Sequence, residues 1–180
     1  MIVGYIMKKK IVLIGMMGSG KSTVGKILSK TLKLDFIDTD ILIEKKCGIK
    51  IKKIFEKFGE KYFRKKEEEI VLKTLLNNKK PSVIALGGGV FLNKKLQNII
   101  LKKTISVWLK TNIELIYKRC KKSKKRPLLY HNNDEELKKI IKNLVKIRNP
   151  IYSKADFHVK TNEEPKKVSG KILTCIKNII

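Results

Sequence analysis

Gly15-Met16-Met17-Gly18-Ser19-Gly20-Lys21-Ser22 matches the pattern G-x-x-x-x-G-K-[ST] and follows directly on the apolar run Ile11-Val12-Leu13-Ile14. In that setting, a strand before and a helix after, the pattern is a cradle for the phosphates of a nucleoside triphosphate. Small residues let backbone N–H groups turn inward toward phosphoryl oxygens, and the following helix offers its positive end. The reading gives Gly18, Ser19 and Gly20 to the cradle, Lys21 to the β- and γ-phosphates, Ser22 to a Mg²⁺ ion and Thr23 to the α-phosphate side. Met16 and Met17 are expected to face away from the phosphates.

Three further groups carry chemistry. Asp38 and Asp40 form a D-x-D after the run Asp35-Phe36-Ile37. One carboxylate there can hold the waters of a metal ion while the other orients or deprotonates an attacking hydroxyl; a purely structural role, with Asp40 as a helix N-cap, is the alternative. Gly87-Gly88-Gly89 follows the run Ser82 to Leu86, where bare backbone can approach a ligand closely. No aspartate stands at that position, so metal support falls to the D-x-D.

The third group is the arginines. Of 43 basic residues only Arg64, Arg119, Arg126 and Arg148 are arginine. In a chain that defaults to lysine, an arginine needs a reason, and the planar fork that binds a carboxylate or phosphate through two parallel bonds supplies one. These four are the candidate anion ligands.

Five short β-like runs alternate with helical stretches, which predicts a parallel sheet built from βαβ units with ligands beyond the carboxyl ends of its strands. The strands are expected at Lys10 to Gly15, Asp35 to Asp38, Ser82 to Leu86, Thr104 to Leu109 and Asp156 to Thr161. Helices are expected near Lys21 to Leu32, Thr39 to Lys46, Ile51 to Phe58, Glu60 to Leu76, Lys94 to Leu101, Ile113 to Lys122, Asp134 to Arg148 and Pro165 to Ile179. Arg148 would close its helix just before Pro150. The basic segment Lys121 to Asn133, with Pro127, reads as a mobile lid. Trp108 reads as core, and His131 and His158 as polar residues without a direct role.

Composition narrows the class. At 180 residues the chain has the length of one domain with a continuous core. No run approaches a membrane span, and the first nine residues lack the parts of a secretory signal; Met7 is a second possible start. Cys47, Cys120 and Cys175 are odd in number and scattered, so a disulfide framework or zinc site is not expected, buried positions are, and a reducing cytoplasm fits. A net charge of +27 by itself points to nucleic acid. Its lysines, however, recur on nearly every predicted helix rather than along one stripe, without interleaved aromatics, which reads as a solvated surface.

Taken as a set, Gly15 to Thr23, Phe36-Ile37-Asp38-Thr39-Asp40, Phe63-Arg64, Leu86-Gly87-Gly88-Gly89, Arg126-Pro127-Leu128-Leu129 and Arg148-Asn149-Pro150-Ile151-Tyr152 closely resemble shikimate kinase, over roughly Lys10 to Ile179. The resemblance implies a three-layer P-loop NTPase fold, α/β, with a five-stranded parallel sheet, helices on both faces and a short lid. It implies one kinase domain over 1–180, with 9–38 the phosphate-binding loop and core, 39–76 the shikimate-binding segment and 119–133 the lid. The implied reaction moves the γ-phosphoryl group of ATP to the 3-hydroxyl of shikimate with Mg²⁺, on the route to chorismate and aromatic amino acids.

By the same resemblance Asp40 contacts the reacting hydroxyl, Asp38 supports Mg²⁺ through water with Ser22, and Lys21 and Arg126 serve the transferring phosphoryl. Arg64 and Arg148 grip the shikimate carboxylate, Gly87, Gly88 and Gly89 line the ring, and Arg119 lies against adenine. Thr161-Asn162 with Pro165 resembles the adenine-side loop. A cytoplasmic monomer acting on a small molecule, without nucleic acid or membrane, is what the family leads one to expect. The alternatives are a kinase of another hydroxy acid such as gluconate, a nucleoside monophosphate kinase, and a regulatory GTPase or nucleic-acid-dependent ATPase. The paired Arg64 and Arg148 disfavour the first, the short lid the second and the absence of an Asn-Lys-x-Asp motif the third.

Overall fold

The computed structural model describes residues 10–77, 80–121 and 133–177. Five strands, β1 (Lys10–Ile14), β2 (Asp35–Asp38), β3 (Ser82–Ala85), β4 (Thr104–Lys110) and β5 (Phe157–Lys160), form one sheet. All pair in parallel, in the order β2-β3-β1-β4-β5. β1 lies in the centre, which is why its apolar run is continuous: both of its faces are covered.

Alternation along the strands divides the core in two. Ile11, Leu13, Val83, Ile105, Val107 and Leu109 face α1 (Lys21–Leu32) and α7 (Pro165–Lys177). Val12, Ile14, Ile84, Leu86 and Trp108 face the other layer, made by α3 (Ile51–Leu76), α4 (Lys94–Lys103), α5 (Ile113–Lys121) and α6 (Asp134–Tyr152). Helix α2 (Thr39–Cys47) packs on α3 around a small separate core of Ile43, Ile54, Phe63 and Ile70. Strand boundaries fall within a residue of expectation. A 3₁₀ turn at Val90–Leu92, between the glycine run and α4, was not anticipated.

One helix departs from expectation and one pair keeps to it. Ile51 to Leu76 is continuous except at Gly59 (φ 76°, ψ 174°), the break expected between Phe58 and Glu60, in a conformation glycine reaches without steric cost. Helix α6 does not close at Arg148 but continues through Pro150 to Tyr152. A proline so near the end forfeits little, and the last turn is held by the Tyr152 hydroxyl, which donates to Gly88 O, and by Ser153 N donating to Asn149 O at 2.9 Å. Of the cysteines, all free, only Cys120 is buried; Cys47 and Cys175 are half-buried. Among the described residues no helix is long and apolar enough to cross a membrane.

Candidate active site

The phosphate loop leaves the carboxyl end of β1 with Gly15, Gly18 and Gly20 at φ 138°, 81° and 92°. Each angle lies in the region L side chains avoid, so the glycines are what permit this path. Gly20 caps α1 without a side-chain hydrogen bond, which leaves the first-turn N–H groups of the helix to whatever enters the loop. The loop opens on a cavity of about 490 Å³, lined also by Asp38, Asp40, Gly88, Arg119, Thr161 and Pro165. That is the size of a small-ligand site. The Lys21 ammonium donates to Gly15 O at 2.8 Å and Met16 O at 3.0 Å.

Because β3 lies between β1 and β2, the end of β2 opens on the same cavity. Ser22 Oγ donates to Asp38 Oδ2 at 2.5 Å. The other oxygen of Asp38 accepts Asp40 N at 3.1 Å, so Asp38 is the N-cap of α2. The capping role considered for Asp40 belongs to its neighbour. A hydroxyl and a carboxylate oxygen in contact make a hard, all-oxygen donor set that suits Mg²⁺, an ion that commonly takes one or two protein ligands and completes its shell with phosphates and water. Among the described residues no group of three or more His, Cys, Asp or Glu stands ready to hold a metal.

The glycine run has a different occupation from the one expected. Gly87 N donates to Thr39 Oγ1 at 3.1 Å, and the Thr39 hydroxyl donates to Ala85 O at 3.3 Å. Gly87's N–H is thus spent on tying β2 to β3. The missing side chains make room for charge instead. A Cβ on Gly87 would crowd Glu67 Oε1 and Asp40 Oδ1, one on Gly88 would come within 3.4 Å of Arg148 Nη1, and one on Gly89 would overlap Arg64. Four charged side chains converge on three residues that have none.

Their electrostatics divide sharply. Arg148 is 5% exposed; its guanidinium lies against Gly88 O at 3.4 Å, Met16 Sδ at 4.0 Å and the Tyr152 hydroxyl, is attracted by Glu67, and makes no direct ion pair among the described residues. Arg64, half-buried, is paired with two carboxylates: Nη1 donates to Glu67 at 2.7 Å, while Nε and Nη2 donate to Glu60 Oε1 at 3.1 and 3.0 Å. Burial opposes the charge on Arg64, but the two carboxylates outweigh it and raise its pKa. Glu67, 4% exposed, is pushed above the ordinary carboxyl range by burial, which the attraction of Arg64 does not overcome, with Asp40 adding to the shift. Burial likewise raises the Tyr152 hydroxyl.

Of the residues expected to matter, Gly18, Ser19, Gly20, Lys21, Ser22, Thr23, Asp38, Asp40, Gly88 and Arg119 line one cavity, and Gly87, Gly89, Arg64 and Arg148 meet beside Asp40 and Glu67. Arg119 Nη1 donates to Gly18 O at 2.9 Å. Arg126 and His131 lie outside the described residues, as does most of the lid. Met17 lines the cavity rather than facing away from it, and Met16, 2% exposed, packs against Arg148. Thr39 and Tyr152 stand in the quoted motifs without a role of their own, and Glu60 and Glu67 escaped the sequence reading. Glu60 and Glu67 stand four and three residues from Arg64 in one helical stretch, the spacing at which side chains meet.

The family model for shikimate kinase matches residues 17–177. The chain is 45% identical over 168 residues to a shikimate kinase of Aquifex aeolicus, covering 93% of this chain and 96% of that protein. It is 44% identical over 166 residues to one of Thermodesulfovibrio yellowstonii, covering 92% and 93%. The solved shikimate kinase of Acinetobacter baumannii in complex with shikimate superposes with a TM-score of 0.91 at 34% identity, over 99% of this chain and 98% of that one. The family match, the identity over near-complete coverage and the shared fold lead to one conclusion: the chain belongs to the shikimate kinase family.

Proposed function

We propose that this chain transfers the γ-phosphoryl group of ATP to the 3-hydroxyl of shikimate, releasing ADP and shikimate 3-phosphate. The observation that carries the substrate side is Arg148, a buried guanidinium that makes no direct ion pair among the described residues and shares the attraction of Glu67 with Arg64, next to the cavity of the phosphate loop. One buried carboxylate between two guanidinium groups leaves positive charge uncompensated, which is costly, and an acid substrate supplies the missing counter-ion. Arg64, on the other side of the glycine run, completes a clamp on the substrate carboxylate.

With the acid gripped there, its hydroxyl comes to Asp40, which orients it and takes its proton as it attacks. Lys21 holds the β- and γ-phosphates, the loop N–H groups bind the chain of phosphates, and Arg119 and Thr161 bound the nucleotide end. Arg126 would meet the charge of the transferring phosphoryl. Ser22 and Asp38 would hold Mg²⁺, which when bound neutralises charge on the phosphates. Residues 39–76 grip the acid and 119–133 close over the nucleotide and keep out water, which would otherwise take the phosphoryl group. We read 1–180 as one kinase domain, acting as a cytoplasmic monomer on a small molecule, without nucleic acid.

The test is ADP release from purified protein with ATP and Mg²⁺, with shikimate, gluconate or nucleoside monophosphates as parallel acceptors. Release dependent on shikimate is expected. Release with gluconate alone, or with no acceptor, refutes the substrate assignment.

A further inference from the structure

Three of the five N–H groups of Arg64 are taken, and its fork edge is occupied. Nη1 is committed to Glu67, whose side chain is 5% exposed, and the edge formed by Nε and Nη2 is taken by a single oxygen of Glu60. Under the function proposed above, on which this inference rests, a ligand carboxylate that takes Arg64 through the bidentate Nε–Nη2 edge finds Glu60 already on it, and two carboxylates cannot share one edge. For that grip one resident has to leave. Glu67 is enclosed and next to Asp40 and Arg148, so moving it would strand charge in the interior. Glu60 is the opposite case, with a side chain 55% exposed that returns to water when released.

We propose that Glu60 acts through Arg64 as an internal stand-in for the substrate's carboxylate, so that the acid binds by exchanging one carboxylate for another. The local backbone suits this. Gly59 breaks the helical path (φ 76°, ψ 174°), and Glu60 therefore begins the second part of α3, where the helix N-terminus favours a negative side chain whether or not it is paired. Leaving Arg64 costs Glu60 little. Until the acid arrives, Glu60 holds the guanidinium extended over Gly89 in a paired state. The consequence is an affinity set below what the two arginines alone would give.

The test is Glu60→Gln, with Glu60→Ala as a second variant, both checked for an unaltered melting temperature. Shikimate binding is measured by calorimetry without nucleotide, beside the neutral methyl ester of shikimate. An exposed ion pair of this kind sets a two- to fivefold gain, roughly, in affinity for the acid on its removal. The gain should appear in the KM for shikimate and not in the KM for ATP, and the ester should not share it. In an Arg64→Lys background, where the fork is gone, the gain should vanish. Unchanged or weaker acid binding in both Glu60 variants overturns the proposal while leaving the clamp intact, provided Arg64→Lys alone weakens binding. If Arg64→Lys alone changes nothing, the clamp itself is wrong and the exchange falls with it.

Discussion

Gly89 lies directly beneath the Arg64 guanidinium, so close that a methyl group on Gly89 would overlap Nη1 and the central carbon of the fork. The Gly89 backbone is ordinary (φ −93°, ψ −18°) and alanine can adopt it without strain. Gly89→Ala therefore tests the contact alone. Its KM for shikimate should rise about tenfold, the scale of one displaced charge-assisted hydrogen bond, with the melting temperature nearly unchanged. A KM equal to that of the parent would show that Arg64 does not need this position.

Arg148→Lys keeps the charge and loses the fork. Burial of Arg148 against Gly88 and Met16 leaves a lysine ammonium with poorer geometry toward a carboxylate. The KM for shikimate should rise by about tenfold or more while the KM for ATP moves little. Steady-state kinetics with each substrate varied in turn gives the answer, and a rise confined to ATP would remove Arg148 from the clamp.

Glu67 gives a pH signature. Its pKa in the folded protein stands above the ordinary value of 4.5, chiefly through burial. Between 4.5 and the raised value, the native protein keeps a proton that the unfolded chain has released, so this group makes stability fall as pH rises through that window. Relative to Glu67→Gln, the parent protein should lose melting temperature as pH increases from about 4.5 toward neutrality. A difference between the two proteins that stays constant with pH, or grows in favour of the parent, would contradict the assignment.

Ser22 and Asp38 hold one another at the mouth of the phosphate loop. If they carry the magnesium, Ser22→Ala should raise the Mg²⁺ concentration needed for half-maximal rate by about tenfold, while calorimetric binding of shikimate without nucleotide stays as in the parent. A magnesium titration of the rate shows this directly. An unshifted titration would leave Ser22 as only the partner of a helix cap.

The local parts of this site were legible in the residues. A phosphate loop is made by consecutive backbone conformations, so Gly15 to Ser22 announces itself without knowledge of anything distant. Asp38, too, ends its strand and caps the next helix within three residues. The arginines were identified by their rarity, but their differing states were not legible. Arg64 is paired twice and Arg148 has no ion pair among the described residues because of what each meets after the chain folds. Nor does the glycine run itself announce that its first N–H goes to Thr39 and that its bare Cα atoms make room for Asp40, Glu67, Arg64 and Arg148. Pro150 was read as a helix stop because a single-residue rule knows nothing of Tyr152 reaching Gly88.

By itself, then, the sequence determined the βαβ alternation, the phosphate cradle, the chemical types at the site and the family, since each is written in short-range spacing or in an ordered set of motifs. Only the tertiary structure decided which charges are neutralised and which await an anion. The strand order puts the ends of β1, β2 and β3 side by side. From opposite ends of the chain, α3 and α6 then bring Arg64, Glu67, Arg148 and Tyr152 to the same three glycines. The energy of a buried charge depends on its neighbours in space, and those neighbours are as many as 132 residues apart along the chain.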